Sequence, residues 1–175
     1  LEGRRGLVET PMTRPAASSP EVVVRVSGFV KRYKQHLAVD RLDLTVKRGE
    51  IYGLIGPDGA GKSSVMKAIA GVLRYDGGSA EVFGILVDSE RAAERVKPRI
   101  GFLPQGLGLN LYPELSVEEN IDFFARLRLV PEPELRARKS RLLAITRLDR
   151  FRSRLMKQLS GGMKQKLGLI CTLIH

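Results

Sequence analysis

The segment Gly56-Pro57-Asp58-Gly59-Ala60-Gly61-Lys62-Ser63 constrains this chain more than any other, because it fits the pattern G-x-x-x-x-G-K-[ST]. An apolar run over residues 51–55 precedes it, and residues 62–73 follow with Val65, Ile69, Val72 and Leu73 on one helical side. A strand, a glycine-rich loop and a helix in that order are the context in which this pattern has chemical meaning. Glycines let the backbone curl so that successive N–H groups face one phosphate, and the positive end of the helix adds to the attraction. Lys62 has the reach for the outer phosphates of a nucleoside triphosphate, and the Ser63 hydroxyl suits Mg²⁺. Ser64 completes the start of the helix. The continuous apolar character of 51–55 predicts a strand buried on both faces, as in a parallel sheet.

Around this unit the organisation is that of an α/β chain. Val22, Val24 and Val26 alternate with other residues, as do Leu42, Leu44 and Val46, which predicts two half-buried strands. Residues 47–50 read as a polar turn and Asp76-Gly77-Gly78 as another. A further strand is expected over residues 100–103. Ser116 followed by Glu119 is a capping-box pattern opening a helix, residues 133–147 are expected to be helical, and from Ser160 onward Met163, Leu167, Ile170 and Ile174 fall on one helical face. Residues 1–20, with Pro11, Pro15 and Pro20 and no apolar period, read as a disordered tail, and Met12 is the first candidate start.

A second motif, Leu159-Ser160-Gly161-Gly162-Met163-Lys164-Gln165, opens the last of these helices. Two glycines weaken a helix start but allow a ligand to come close to the backbone, and Ser160 is a natural N-cap. A phosphate loop followed about a hundred residues later by L-S-G-G-x-x-Q resembles the ATP-binding domain of ABC transporters, over residue 22 to the end. The resemblance implies an α/β P-loop NTPase of ABC type. Its parts would be a mixed or parallel sheet core, an N-terminal antiparallel β subdomain and a helical signature subdomain. Residues 21–105 would form the β subdomain and part of the core, and 106–175 the helical subdomain. It further implies that Tyr33 stacks on adenine and that Gln105 joins Ser63 at Mg²⁺. ATP would lie on residues 56–64, and residues 159–165 would contact ATP held by a second ABC domain in a head-to-tail pair. A transmembrane permease would be the other partner, on the cytoplasmic side of the membrane. The phrases around Gln105 and Leu159 look like exporters of the ABC-2 type and also like ribosome-associated ABC ATPases, which is the alternative reading.

The family places its hydrolytic carboxylates and switch histidine after the signature helix. The expectation is therefore an incomplete core, with no catalytic residue present and the apolar run at 51–55 left without strand partners. Asp88, behind Ile85-Leu86-Val87, precedes the signature segment and is expected to be a strand end or turn; His36 is expected in a loop, and His175 is not the switch histidine. Composition sets the remaining bounds. The 43% hydrophobic and 28% charged residues are those of a globular chain, and the net charge is +11. No stretch approaches the roughly 18 apolar residues of a membrane span, and the single cysteine, Cys171, cannot form an internal disulfide and is expected to serve packing. Residues 128–157 hold ten Lys or Arg against three acids. That basic insert reads as a solvated helix face, with anionic lipid or ribosomal RNA as other possible partners.

Overall fold

The computed structural model describes residues 21–106 and 111–175; the expected tail at 1–20 and the candidate start Met12 lie outside the described residues. Strands β1 (Val22–Tyr33) and β2 (His36–Lys47) form a long hairpin. The antiparallel sheet is completed by β3 (Gly77–Val82) and β4 (Ile85–Leu86), in the order β2-β1-β3-β4. Valines and leucines at alternate positions of β1 and β2 turn one face inward, so Val26 and Leu44 are buried, and Phe29, beyond a register shift in the ladder, joins them. They pack with Val65 and Ala68 of helix α1 (Lys62–Ile69) in one apolar cluster. The hairpin turn is only Lys34 and Gln35, with Lys34 in the left-handed region at φ 56°. That tight turn puts His36 into the ladder opposite Tyr33 and corrects the expectation of a loop histidine.

Four further expectations are revised. Residues 51–55 and 100–103 are not strands; neither has a ladder among the described residues, and for 51–55 this is the expected lack of strand partners. Ile51 and Ile55 are almost wholly exposed, at 101% and 95%. Apolar continuity reports what a segment is suited to be buried against, but a strand exists only where a neighbour supplies hydrogen bonds. The antiparallel subdomain is thus present as expected, whereas parallel ladders are missing among the described residues. Helix α1 ends at Ile69, short of the expected Leu73. Gly71 takes φ 68°, and the Val72 N–H closes on the Lys67 carbonyl at 2.9 Å, a glycine-type helix ending. Gly77 and Gly78, read as a turn with Asp76, belong to β3.

Asp88 lies exposed behind β4, at the entrance to helix α2 (Glu90–Val96), which Ser89 caps. The second half is helical: α3 (Val117–Leu127), α4 (Glu132–Thr146) and α5 (Gly161–Leu173). The capping box at the head of α3 forms in both directions: the Glu119 N–H donates to Ser116 Oγ, and the Ser116 N–H donates to the Glu119 carboxylate. Ile121, Ala125, Leu143, Leu167 and Ile170 meet in one buried cluster. Cys171 joins it, where burial pushes its thiol up to about 12, as expected for a packing cysteine.

The basic insert is better neutralised than its own acids suggest, because α3 and the segment before it supply partners. Lys139 reaches Glu118 at 2.9 Å and Asp122 at 2.7 Å, Arg152 reaches Glu118 at 3.4 Å, and Lys157 reaches Glu114 at 2.6 Å. No helix among the described residues is long and apolar enough to cross a membrane.

Candidate nucleotide-binding site

The phosphate loop runs from the exposed segment 51–55 into the first turn of α1. The helix begins at Lys62 with Gly61 as its N-cap in the left-handed conformation (φ 79°) and without a side-chain cap. Helices α2, α3 and α5, by contrast, are each capped by a serine. The first N–H groups of a helix have no internal acceptor, and here no side chain or acidic residue of the first turn occupies that end. It stays open and positive, which is what a phosphate needs. Gly61 is required by its surroundings. A Cβ there would fall on the Val39 side chain and lie 2.7 Å from the Ala38 carbonyl oxygen, so β2 fixes where the loop turns. Gly59, at φ 83°, faces open space.

Lys62 is folded over its own loop. Its ammonium donates to the carbonyls of Gly56 at 2.7 Å and Pro57 at 2.6 Å. Those bonds hold the loop curled, and the same ammonium has the freedom to move to phosphate oxygens. Ser63 borders a cleft of about 840 Å³ that Gln105 also lines, together with Lys62, Leu54 and Phe102. The two residues expected to share a metal thus stand on one cavity although 42 positions separate them. Gln105 is exposed in the bend after the extended segment 100–103. That segment is held by α5 and the residues just after it: the Ile100 carbonyl is 3.1 Å from His175 Nε2, and a Cβ on Gly101 would meet Thr172 of α5.

Tyr33 closes β1 beside the loop. Its ring is 46% exposed, and its hydroxyl is 3.0 Å from Ser64 Oγ in the first turn of α1. No local pattern signals this link, which spans 31 positions. Nor did it single out Lys31, whose side chain is buried beneath Tyr33, or Asp76, which pairs with Lys31 at 3.1 Å. Asp76 also accepts the Arg32 N–H at 2.7 Å, and the two interactions hold its carboxyl below the usual carboxylate range.

The signature segment sits at the head of α5. Leu159 is buried in the helical cluster and anchors the turn, with Met163 packed against that cluster. Ser160 accepts the Met163 N–H at 3.4 Å, while Gly161 and Gly162 are exposed and a Cβ on Gly162 would meet open space. Lys164 and Gln165 border a smaller cleft shared with Leu103 and Gln105. The start of α5 is thus capped by Ser160 but carries two exposed glycines and no acid in its first turn. Hard oxygen donors of the kind Ser63 and Gln105 carry suit Mg²⁺, and no group of three or more His, Cys, Asp or Glu placed for a metal occurs among the described residues.

A sequence profile described as ABC transporter matches residues 39–175. The chain is 43% identical over 157 residues to the probable multidrug ABC transporter ATP-binding protein YbhF of Escherichia coli (strain K12), covering 88% of this chain and 26% of that protein. It is 38% identical over 154 residues to the daunorubicin resistance ATP-binding protein DrrA3 of Streptomyces coeruleorubidus, covering 88% and 48%. The chain therefore spans between a quarter and a half of these curated relatives. Among solved structures, an ATP binding subunit of an ABC transporter superposes with a TM-score of 0.76 at 29% identity, covering 87% of this chain and 62% of that one. A dimeric ATP-binding cassette in a post-hydrolysis state, bound to ADP and Pi, superposes with a TM-score of 0.73 at 26% identity, covering 86% and 69%. These names are those of transporter ATPases and give no support to a ribosome-associated role. With the phosphate loop, the signature segment and the profile match agreeing, the chain belongs to the ATP-binding family of ABC transporters.

Proposed function

We propose that this chain is the ATP-binding part of an ABC exporter. The observation that carries the reading is the open, uncapped start of α1, with Lys62 curled over the loop and Ser63 and Gln105 lining one adjoining cleft. In this reading Gly56, Pro57, Asp58, Gly59, Ala60, Gly61, Lys62, Ser63 and Ser64 receive the phosphates. Lys62 releases the carbonyls of Gly56 and Pro57 and takes phosphate oxygens instead. Ser63 and Gln105 hold Mg²⁺, which when bound offsets charge on the outer phosphates. Tyr33 stacks on adenine.

Residues 159–165 serve a second copy. Their exposed glycines let the backbone approach a nucleotide held by the phosphate loop of the facing domain, so that two domains close head to tail around ATP. The dimeric cassette solved with ADP and Pi supports this for the fold. Residues 21–105 carry the nucleotide and 106–175 present the signature. The partner that receives the motion is a transmembrane permease at the cytoplasmic face of the membrane, and the export direction follows the resistance and multidrug names of the relatives.

Equilibrium binding of a fluorescent ATP analogue with Mg²⁺ tests the reading. Binding is expected for the wild type and at least tenfold weaker for Lys62→Ala. Equal affinity of the two would overturn it.

A further inference from the structure

We propose that Lys31, anchored by Asp76, and Ser64 are positioning residues that fix the Tyr33 ring for the nucleotide base, so that the base meets a tyrosine with a cation on its far face. The inference rests on Tyr33 being the base-stacking residue, as proposed above.

Tyr33 is half exposed at a strand end, where an aromatic side chain is ordinarily free to swing. Two contacts remove that freedom. At the ring's tip the hydroxyl is 3.0 Å from Ser64 Oγ, and Ser64 is itself buried in the first turn of α1. At the ring's face, Lys31 Nζ lies 5.3 Å from the centroid, within the range of a cation–π contact. Lys31 precedes Tyr33 by two positions on β1 and so shares its side of the sheet. Only 9% of Lys31 is exposed, and its ammonium is fixed by Asp76 at 3.1 Å. Asp76 is in turn held by the Arg32 N–H at 2.7 Å. A buried ammonium fixed in this way on one face leaves the other face for a ligand. It draws electron density from the ring, which favours stacking on an electron-rich purine over stacking on water-exposed apolar groups. The Ser64 contact ties the base end of the site to the helix turn that holds Lys62 and Ser63. Ring and phosphate loop are therefore set relative to each other before nucleotide arrives.

The test separates the base from the phosphates. Dissociation constants for ATP and for inorganic tripolyphosphate are measured by calorimetry on the full-length protein for the wild type, Lys31→Met, Lys31→Arg and Tyr33→Phe. Lys31→Met and Tyr33→Phe are each expected to weaken ATP about 3-fold and to leave tripolyphosphate unchanged, with Lys31→Arg close to the wild type. The inference is overturned if ATP and tripolyphosphate weaken together, if neither moves, or if arginine rescues no better than methionine. If Lys31→Met fails to fold and so binds neither ligand, Lys31→Arg and Tyr33→Phe decide by the same ratio. A wild type that binds ATP no better than tripolyphosphate removes the stacking role of Tyr33, and this inference with it, while leaving the phosphate site intact. A wild type that binds neither removes the nucleotide-binding function itself.

Discussion

Asn120 is wholly buried in α3, and its side chain holds the segment that leads into that helix. Its Oδ1 accepts the Tyr112 N–H at 2.9 Å. Its Nδ2 donates to the carbonyls of Tyr112 and Leu115, each at 3.1 Å, and of Ser116 at 2.9 Å. Asn120→Leu keeps the branching and the number of heavy atoms and removes all four contacts. The three carbonyls are not stranded, because each keeps a backbone donor: Leu115 N–H for Tyr112, Met156 N–H for Leu115 and the Asn120 N–H itself for Ser116. Only the Tyr112 N–H is left without a partner. One orphaned buried donor costs about 1–3 kcal/mol and the lost bonds to already satisfied carbonyls add a smaller amount, so the total is about 2–4 kcal/mol. The assay is urea unfolding of the full-length protein, in which the midpoint should fall without a change in slope. Asn120→Asp keeps an acceptor for Tyr112 N–H but turns its second oxygen toward three carbonyl oxygens. Its defect should be as large at neutral pH and should shrink in acid, as the buried carboxyl takes up a proton. A midpoint for Asn120→Leu within about 0.5 kcal/mol of the wild type would refute the reasoning, since the bonds would then be contributing nothing.

Other outcomes follow from single contacts. Gly61→Ala should abolish ATP binding while the protein stays folded, because the new Cβ meets Val39 and the Ala38 carbonyl at the turn of the loop; filter binding and circular dichroism check it. Lys139 holds Glu118 below the usual carboxylate range, and Lys139 itself is raised by its bonds to Asp122 and Glu118, against desolvation. The α3–α4 link should therefore weaken as pH falls through the lowered Glu118 value, and again as it rises through the raised Lys139 value. Glu118→Gln should flatten the acid limb of a pH–stability curve, and an unchanged limb would count against the pairing. Cys171, buried and pushed up to about 12, should resist iodoacetamide at pH 8 in the folded protein and react fully in urea, as read by intact mass.

Features governed by a few adjacent residues were legible from the sequence. The phosphate loop, the capping box at Ser116 and Glu119, the Ser160 cap and the alternation in β1 and β2 all depend on neighbours within seven positions. The segment at 100–103 was misread as a strand because apolar content indicates a preference for burial, while a ladder needs a partner strand elsewhere; for 51–55 the lack of such partners was foreseen. Helix α2 went unseen because seven residues carry too little periodicity, although Ser89 ahead of Glu90 was a cap signal. The Tyr33–Ser64 and Lys31–Asp76 contacts join residues 31 and 45 positions apart. No local rule reaches that far. The acids that answer the basic insert were hidden likewise, since Glu118 and Asp122 belong to the preceding helix.

The central claim is that the phosphate loop at the head of α1 and the signature segment at the head of α5 are complementary halves of one ATP site completed between two copies. It is tested most directly by mixing two single variants of the full-length protein, Lys62→Ala and Ser160→Arg, with an ATP analogue that resists hydrolysis and following pairing by light scattering. The account predicts that neither variant pairs alone and that the mixture does, because one intact loop then faces one intact signature. A mixture that stays monomeric while the wild type pairs, or either variant pairing with itself as readily as the wild type, would contradict it.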